Sequence, residues 1–537
     1  MEYFKELQKG LNRNIIVITI LAVTIAILEF ITPFFIRNLI DNFEANYYYV
    51  IKMSIYVWGL FLVIYIANIA INNMKKYFYV RFKVKETNKL YENMFHMKYE
   101  ELIKKEPTYL VEKINNSIDV LYTLYFESLP NYLIAIFSII LSLIIMANVN
   151  WCIMLCMFIN IPIQIIGYKK LNEKLSDKCI KLQTLCAKNF KNILSITSEV
   201  DYYKQLSRAE EFIKMLKPYV QKIHNENGNV NAYATFVSVT LNHITNFLNN
   251  YIYIVAALLT CMEKITVSDF VFICMIESVF FPAVNNIVSI NINLRDLKGV
   301  KQFIKEELLA YKEEEGCERI GKISEVEFEI KKVGYENSIL IETGECRIKQ
   351  GDVVCVKGNS GCGKSSLLKG LVKFTDVENI YLNGVDIESI SNESLRERVV
   401  YYSQSIPIIS GTIRDNILMG KKDEHIIERL KEKKFIRKFF ELKDGIDTTV
   451  LENGANLSGG DKQKIALARI YGEDPDVIIL DEMTNSLDEE SEQIILTDIM
   501  ELFADKIIFI ISHSDKIVPL CNKIMRIEDK ELVLQNI

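Results

Sequence analysis

Val353-Val354-Cys355-Val356, followed by Gly358-Asn359-Ser360-Gly361-Cys362-Gly363-Lys364-Ser365-Ser366, is the stretch that decides the fold of the C-terminal part of this chain. Four apolar residues read as a buried strand and the glycine-rich segment as a tight loop. Leu367, Leu368, Leu371 and Val372 behind it form one face of a helix. Glycines let such a loop close until successive backbone N–H groups converge, and the helix start adds the positive end of its dipole. The arrangement suits phosphate. Lys364 is placed to bridge the β- and γ-phosphates of a nucleoside triphosphate, and the Ser365 hydroxyl to ligate Mg2+.

Two further stretches downstream support the same chemistry. Val477 to Leu480 is an apolar strand that ends in Asp481-Glu482. One carboxylate there can hold Mg2+ through water, and the second can orient or deprotonate an attacking water. Leu457-Ser458-Gly459-Gly460, ahead of Asp461-Lys462-Gln463-Lys464, puts glycines at a helix start and makes a second phosphate-binding surface. Upstream, Val326, Phe328 and Ile330 alternate with polar residues as a strand does, so a soluble domain begins near residue 325, after a charged, helix-compatible stretch from Arg295 to Lys322.

The rest of the chain is different in kind. At 537 residues it is too long for one ordinary domain, and a mean hydropathy of +0.13 beside an ordinary 25% of charged residues means that apolar residues are concentrated in one part. Ile15–Ile36 carries one charge, Glu29, and Met53–Ile71 carries none; each can cross a bilayer as a helix. Ser128–Tyr168 is uncharged and too long for one span, with Asn148-Val149-Asn150 as its polar turn. Asn231–Met262 and Phe270–Ile292 form another pair, with Glu277 the one charge inside the second. Six spans are expected, at about 15–36, 53–71, 128–147, 151–168, 231–262 and 270–292.

Lys75, Lys76, Arg81, Lys83, Lys85 and Lys89 follow the second span, and Lys169, Lys170, Lys174, Lys178 and Lys181 follow the fourth. This excess of positive charge places both long loops and both termini in the cytoplasm. Ser238, Asn242, Asn246, Asn249 and Asn250 recur at helical spacing in the fifth span, as do Asn285, Ser289 and Asn293 in the sixth. Such a stripe serves either hydrogen bonds between helices or the wall of an aqueous path. The net charge of −6 supplies no basic field, so nucleic acid is not expected as a partner. The eleven cysteines contain no C-x-x-C and read as reduced, packed thiols. No cleavable secretory signal is expected, because the first apolar run is too long.

Together these residues resemble the nucleotide-binding domain of an ATP-binding cassette (ABC) transporter, and the spans ahead of it resemble an exporter-type half-transporter, over nearly the whole chain. The resemblance implies a two-domain fold: an all-α six-helix transmembrane domain at 1–305, a linker at 306–325, and an α/β P-loop NTPase domain with a helical subdomain at 326–537. It implies that Gly358 to Ser366 is the Walker A loop, holding ATP and Mg2+. Gln404 in Tyr402-Ser403-Gln404-Ser405 is then the Q-loop glutamine, a metal and catalytic contact. Ser458, Gly459 and Gly460 form the signature, Asp481 is the Walker B ligand, and Glu482 is the catalytic carboxylate. Ser486-Leu487-Asp488 is the D-loop, His513 the switch histidine, and Tyr335 the aromatic that stacks on adenine.

In that family the signature of one copy contacts ATP held by the Walker loop of another, so a second half-transporter is implied. Glu482, His513 and Ser458 all stand in this chain, which makes a homodimer sufficient, with a heterodimer as the alternative. Glu452-Asn453-Gly454 matches the segment that touches the cytoplasmic loop ends. Asp461 stands where the family has Gln, Lys464 where Arg is common, and Asn485 ahead of an altered D-loop; the family's usual C-terminal helices are expected to be mostly absent. The implied activity is ATP hydrolysis driving export of a peptide, lipid or amphipathic small molecule by alternating access, from a multi-pass position in the lipid of the cell membrane. An ATP-gated regulatory or channel-like protein, or an importer, are alternatives on the same scaffold. A soluble cassette acting on DNA or ribosomes is set aside by the spans, and leader-peptide cleavage is not expected, since no Cys/His peptidase precedes the first span.

Overall fold

The computed structural model describes residues 2–42, 47–335, 338–403, 407–483, 489–512 and 515–537, with the backbone alone described at Tyr335 and a few other positions. The chain divides into two compact units, 1–95 with 108–310, and 96–107 with 311–537.

The first unit is helical, and six of the helices among the described residues are long and apolar enough to cross a membrane. Uncharged stretches with no internal polar partner adopt helix because only there does every backbone N–H and C=O find a partner within the segment. In chain order the helices of this region are α1 (Glu2–Asp41), α2 (Tyr47–Phe95), α3 (Tyr99–Lys104), α4 (Pro107–Tyr122), α5 (Leu129–Val149), α6 (Trp151–Ser198), α7 (Val200–Gln205), α8 (Ala209–Cys261) and α9 (Val267–Gln302). A π-helical turn, Thr123–Ser128, joins α4 to α5. The polar turn at Asn150 is present: its side chain accepts the N–H of Cys152 at 2.9 Å and caps α6. Thr266 and Asp269 form a reciprocal capping box at the start of α9. Asp269 also pairs with Arg37 of α1 at 2.5 Å, and Ser268 donates to Asp41, so the turn between α8 and α9 is tied to the end of α1.

Ile139, Met146, Met157, Ile252, Phe272, Ile276 and Phe280 fill the interior, and Glu277 is buried among them. On α2, Ile55, Tyr56, Trp58, Phe61, Leu62 and Tyr65 face outward, as apolar side chains do where lipid is the solvent. The stripe on α8 faces outward as well: Ser238, Asn242, Asn246 and Asn250 are exposed in this chain. On α9, Asn293 is bonded inside the unit, to the Ser128 hydroxyl at 2.6 Å, and Asn285 is exposed.

The second unit is built on a sheet that has ten strands among the described residues. Val399–Tyr402, Val477–Asp481, Ile507–Ile511 and Val353–Gly358 run parallel in that spatial order. Alternate residues enter two separate cores: Val354, Val356, Val477 and Ile479 one, Cys355, Ile478 and Leu480 the other. A strand buried on both faces has no polar positions, which is why these segments read as unbroken apolar runs. Lys523–Glu528 extends the parallel set, and Glu325–Ile330, Thr343–Lys349, Ile380–Leu382 and Glu531–Asn536 complete most of the remainder. Residues 413–472 carry the short helices Ile413–Leu418, Glu424–Lys431 and Arg437–Phe440 and the longer Gly459–Ala468.

The helix-compatible pattern of Arg295–Lys322 is helical only as far as Leu308. Beyond it the chain runs as a strap, because Lys312 pairs with Met97 and Glu318 with Ile390, and these long-range pairings replace the helical hydrogen bonds. Through that pairing, residues 96–107, including α3, cluster with the second unit although they lie inside the range 1–305.

Candidate active site

The loop after Val353–Gly358 turns on glycines that no other residue replaces without strain. Gly358 has φ of +153°, and a Cβ there would lie 2.7 Å from the Cys362 sulfur and 2.8 Å from the Ile527 carbonyl. Gly363, with φ of +103°, turns the chain into the helix Lys364–Gly370. Lys364 is 8% exposed, and its ammonium donates to the carbonyls of Gly358 and Asn359 at 2.8 and 2.9 Å. A buried cation therefore sits within the curl of the loop. Asn359, Ser360 and Gly361 form its exposed rim, and Ser365 and Ser366 are half-buried at the helix start. Cys362 packs inward against the apolar core.

Asp481 ends its strand opposite Ile511, and Ile511 is opposite Val356. At the usual strand spacing, the Asp481 backbone is about 10 Å from Val356, two residues before the loop begins. This is the carboxyl edge of parallel strands, where ligands of such sheets bind. Asp481 is 5% exposed and one of its oxygens accepts the Tyr401 hydroxyl. Burial and that bond push the Tyr401 phenol far above its ordinary range, so it stays protonated and acts as a donor. Glu482 has a left-handed φ of +52°, and its N–H donates to the Ile511 carbonyl at 3.0 Å. That turn carries it out of the strand direction followed by Asp481.

Ser458 caps the helix Gly459–Ala468: its hydroxyl accepts the Asp461 N–H at 3.2 Å, and Asp461 accepts the Ser458 N–H at 3.3 Å. Ser458 and Gly459 are exposed. Burial alone would raise the Asp461 carboxyl, but the ion pair with Lys438 and the bonds from Ser458 outweigh it and hold the group below the usual carboxylate range.

Gln404, Ser486-Leu487-Asp488 and His513 lie outside the described residues, as does the side chain of Tyr335, whose backbone ends the strand Val333–Tyr335. Several supporting residues carry no sequence signal. Asn416 is fully buried, bonding both the N–H and the carbonyl of Ile409, and Arg469 reaches the carbonyls of Asn416 and Pro407, both at 2.7 Å. Together they hold the segment that follows Gln404. Tyr401 was equally silent.

The donors at the loop fit a hard divalent cation that arrives with its nucleotide. Ser365 and Asp481 offer oxygen only, and no cluster of three His, Cys, Asp or Glu among the described residues could hold a metal alone.

Comparison with known families agrees with this geometry. The model described as "ABC transporter transmembrane region" matches residues 15–284, and that described as "ABC transporter" matches residues 342–485. The chain belongs to the ABC transporters. A Haemophilus influenzae protein named "Probable ABC transporter ATP-binding/permease protein" is 25% identical over 478 residues, 84% of each chain. An "ATP-dependent lipid A-core flippase" of Vibrio vulnificus is 36% identical over 192 residues, 35% of this chain and 33% of its own. The solved structure of a bacterial Atm1-family ABC exporter with ATP bound has the same fold, with a TM-score of 0.83 over 98% of this chain and 95% of that one, at 17% identity. The protein is thus an integral multi-pass membrane protein that binds ATP and hydrolyses it to drive transport.

Proposed function

We propose that this chain is one half of a dimeric exporter that binds Mg2+-ATP between two copies and moves an amphipathic molecule, such as a lipid, a peptide or a drug-like compound, out of the cytoplasm across the cell membrane by alternating access. The observation that carries the dimer is the exposure of Ser458 and Gly459 at the start of a capped helix, in a chain that also holds Lys364, Asp481 and Glu482. An exposed helix start that carries two glycines suits phosphate, and a second copy would supply the phosphate-binding loop that faces it.

Lys364 and the loop N–H groups hold the phosphates. Ser365 and Asp481 would hold Mg2+, with Gln404 assigned to the same ion by resemblance, and a bound Mg2+ would supply positive charge beside the phosphates. Glu482 orients and deprotonates the attacking water; the roles of His513 toward the γ-phosphate and of Tyr335 toward adenine are assigned by the family resemblance alone. A homodimer suffices. Binding of two nucleotides draws the cassettes together and favours an outward-facing membrane domain, and hydrolysis releases it. The exposed asparagines of α8 support an aqueous path, since lipid leaves their amides without partners.

The test is transport by the purified chain in proteoliposomes, supplied in turn with a fluorescent phospholipid, a labelled peptide and cationic dyes. ATP-dependent movement of one class that stops in Glu482→Gln supports the reading. ATP-dependent ion conductance with no net movement of any of them refutes it.

A further inference from the structure

The second unit contains a row of aromatic rings that starts on α3 and ends at the Walker B carboxylate. The Tyr99 ring stacks on Phe374, with centroids 4.4 Å apart and planes 12° apart. Phe374 meets Tyr401 edge-on at 6.5 Å and 77°, and the Tyr401 hydroxyl donates to Asp481. Tyr401 pairs with Ile479 on the neighbouring strand, two residues before Asp481, so the two side chains rise on the same face of the sheet.

Neighbours hold each link in place. The Arg396 guanidinium lies 5.2 Å from the Phe374 centroid and grips Glu313 through two hydrogen bonds of 2.9 and 2.8 Å. The Glu313 N–H donates to His96 and the Lys98 N–H to Tyr311, stitching the segment 96–98 to the strap 311–313. The Lys369 ammonium sits 5.9 Å from the Tyr401 ring. Tyr99 thus lies on a stretch of chain between the membrane helix α2 and the helices α4 and α5.

A carboxylate that ligates a metal is oriented by whatever binds its other oxygen. We propose that Tyr99, Phe374 and Tyr401 are positioning residues, a relay through which seating of the segment 96–107 on the cassette sets the orientation of the Asp481 carboxylate and so the ease with which it takes the Mg2+ of Mg2+-ATP. The relay rests on the reading of Asp481 as a Mg2+ ligand. With Tyr99 stacked, Phe374 backs Tyr401 and the hydroxyl holds one Asp481 oxygen, leaving the other directed at the metal. When Tyr99 withdraws, Phe374 loses its stacking partner, Tyr401 gains freedom, and the carboxylate turns.

The experiment measures binding of a trinitrophenyl-ATP to the purified full chain, with and without Mg2+, and reads the Mg2+ concentration at half-saturation. Tyr401→Phe, which removes one hydroxyl, is expected to raise that concentration about tenfold and to leave Mg2+-free binding unchanged. Tyr99→Ala is expected to shift it in the same direction by less, and Tyr99→Phe, which keeps the stack, to behave as the parent. The double variant Tyr99→Ala/Tyr401→Phe should match Tyr401→Phe alone, because the atom through which Tyr99 acts is gone. Additive shifts, or a silent Tyr401→Phe, overturn the relay. Asp481→Asn separates the two claims: if it leaves the Mg2+ dependence intact, the assignment of Asp481 is wrong, whereas if it abolishes that dependence while Tyr401→Phe is silent, the relay alone fails.

Discussion

Glu482 follows a fully buried strand yet takes a left-handed backbone conformation, which costs a non-glycine residue about 1–2 kcal/mol. On the proposed reading of Glu482 as the base, Glu482→Gln keeps the shape and removes it, so kcat is expected to fall by roughly 10²–10⁴ while ATP affinity stays within about threefold, as single-turnover ATPase assays and nucleotide titration will show. Asp461 explains itself at the same scale. As a departure from its family it had no reason in the sequence, but it closes the capping box with Ser458 and pairs with Lys438. Its carboxyl is held below the ordinary carboxylate range, so its contribution is present in full above about pH 4 and is lost as pH falls through the lowered value. The melting-temperature gap between the parent and Asp461→Asn should be constant from about pH 7 to 5 and narrow below about 4; a gap that widens on acidification contradicts the assignment. The glycine-rich loop and the strand end that carries two carboxylates were readable because their residues are neighbours in sequence. Tyr401 was not, since its partner lies eighty residues away and a tyrosine in a strand is unremarkable.

Among the elements, the strands of the cassette were the easiest to foresee. Burial on both faces leaves Val477 to Leu480 with no polar position, and such a run stands out. Phe509 and Phe328 meet edge-on at 6.2 Å inside one core. Phe509→Ala is expected to cost about 3–5 kcal/mol, and adding Phe328→Ala to cost less than the sum of the two, read as losses in the temperature of cassette unfolding. Full additivity would mean that the rings do not support one another. The strap after Leu308 was hidden for the opposite reason. Its residues favour helix locally, and only pairing with Met97 and Ile390, distant in sequence, pulls it straight.

At the scale of the molecule, hydropathy alone divided the chain into a membrane body and a cassette, because lipid and water select different residues. What hydropathy could not show is that residues 96–107 belong by contact with the cassette, since they carry no motif and are defined only by what they touch. On the proposed reading, neither body completes an ATP site by itself. The central claim is that each site joins the Walker loop and Glu482 of one copy to Ser458 and Gly459 of the other. The most direct measurement is ATPase activity of mixed dimers, isolated with two different affinity tags, from a chain carrying Glu482→Gln and a chain carrying Gly459→Asp. Each variant alone is expected to be inactive, and the mixed dimer to recover about half the parent activity, because one of its two sites then contains only unaltered residues. Isolated mixed dimers with no activity, or Gly459→Asp homodimers as active as the parent, would contradict it.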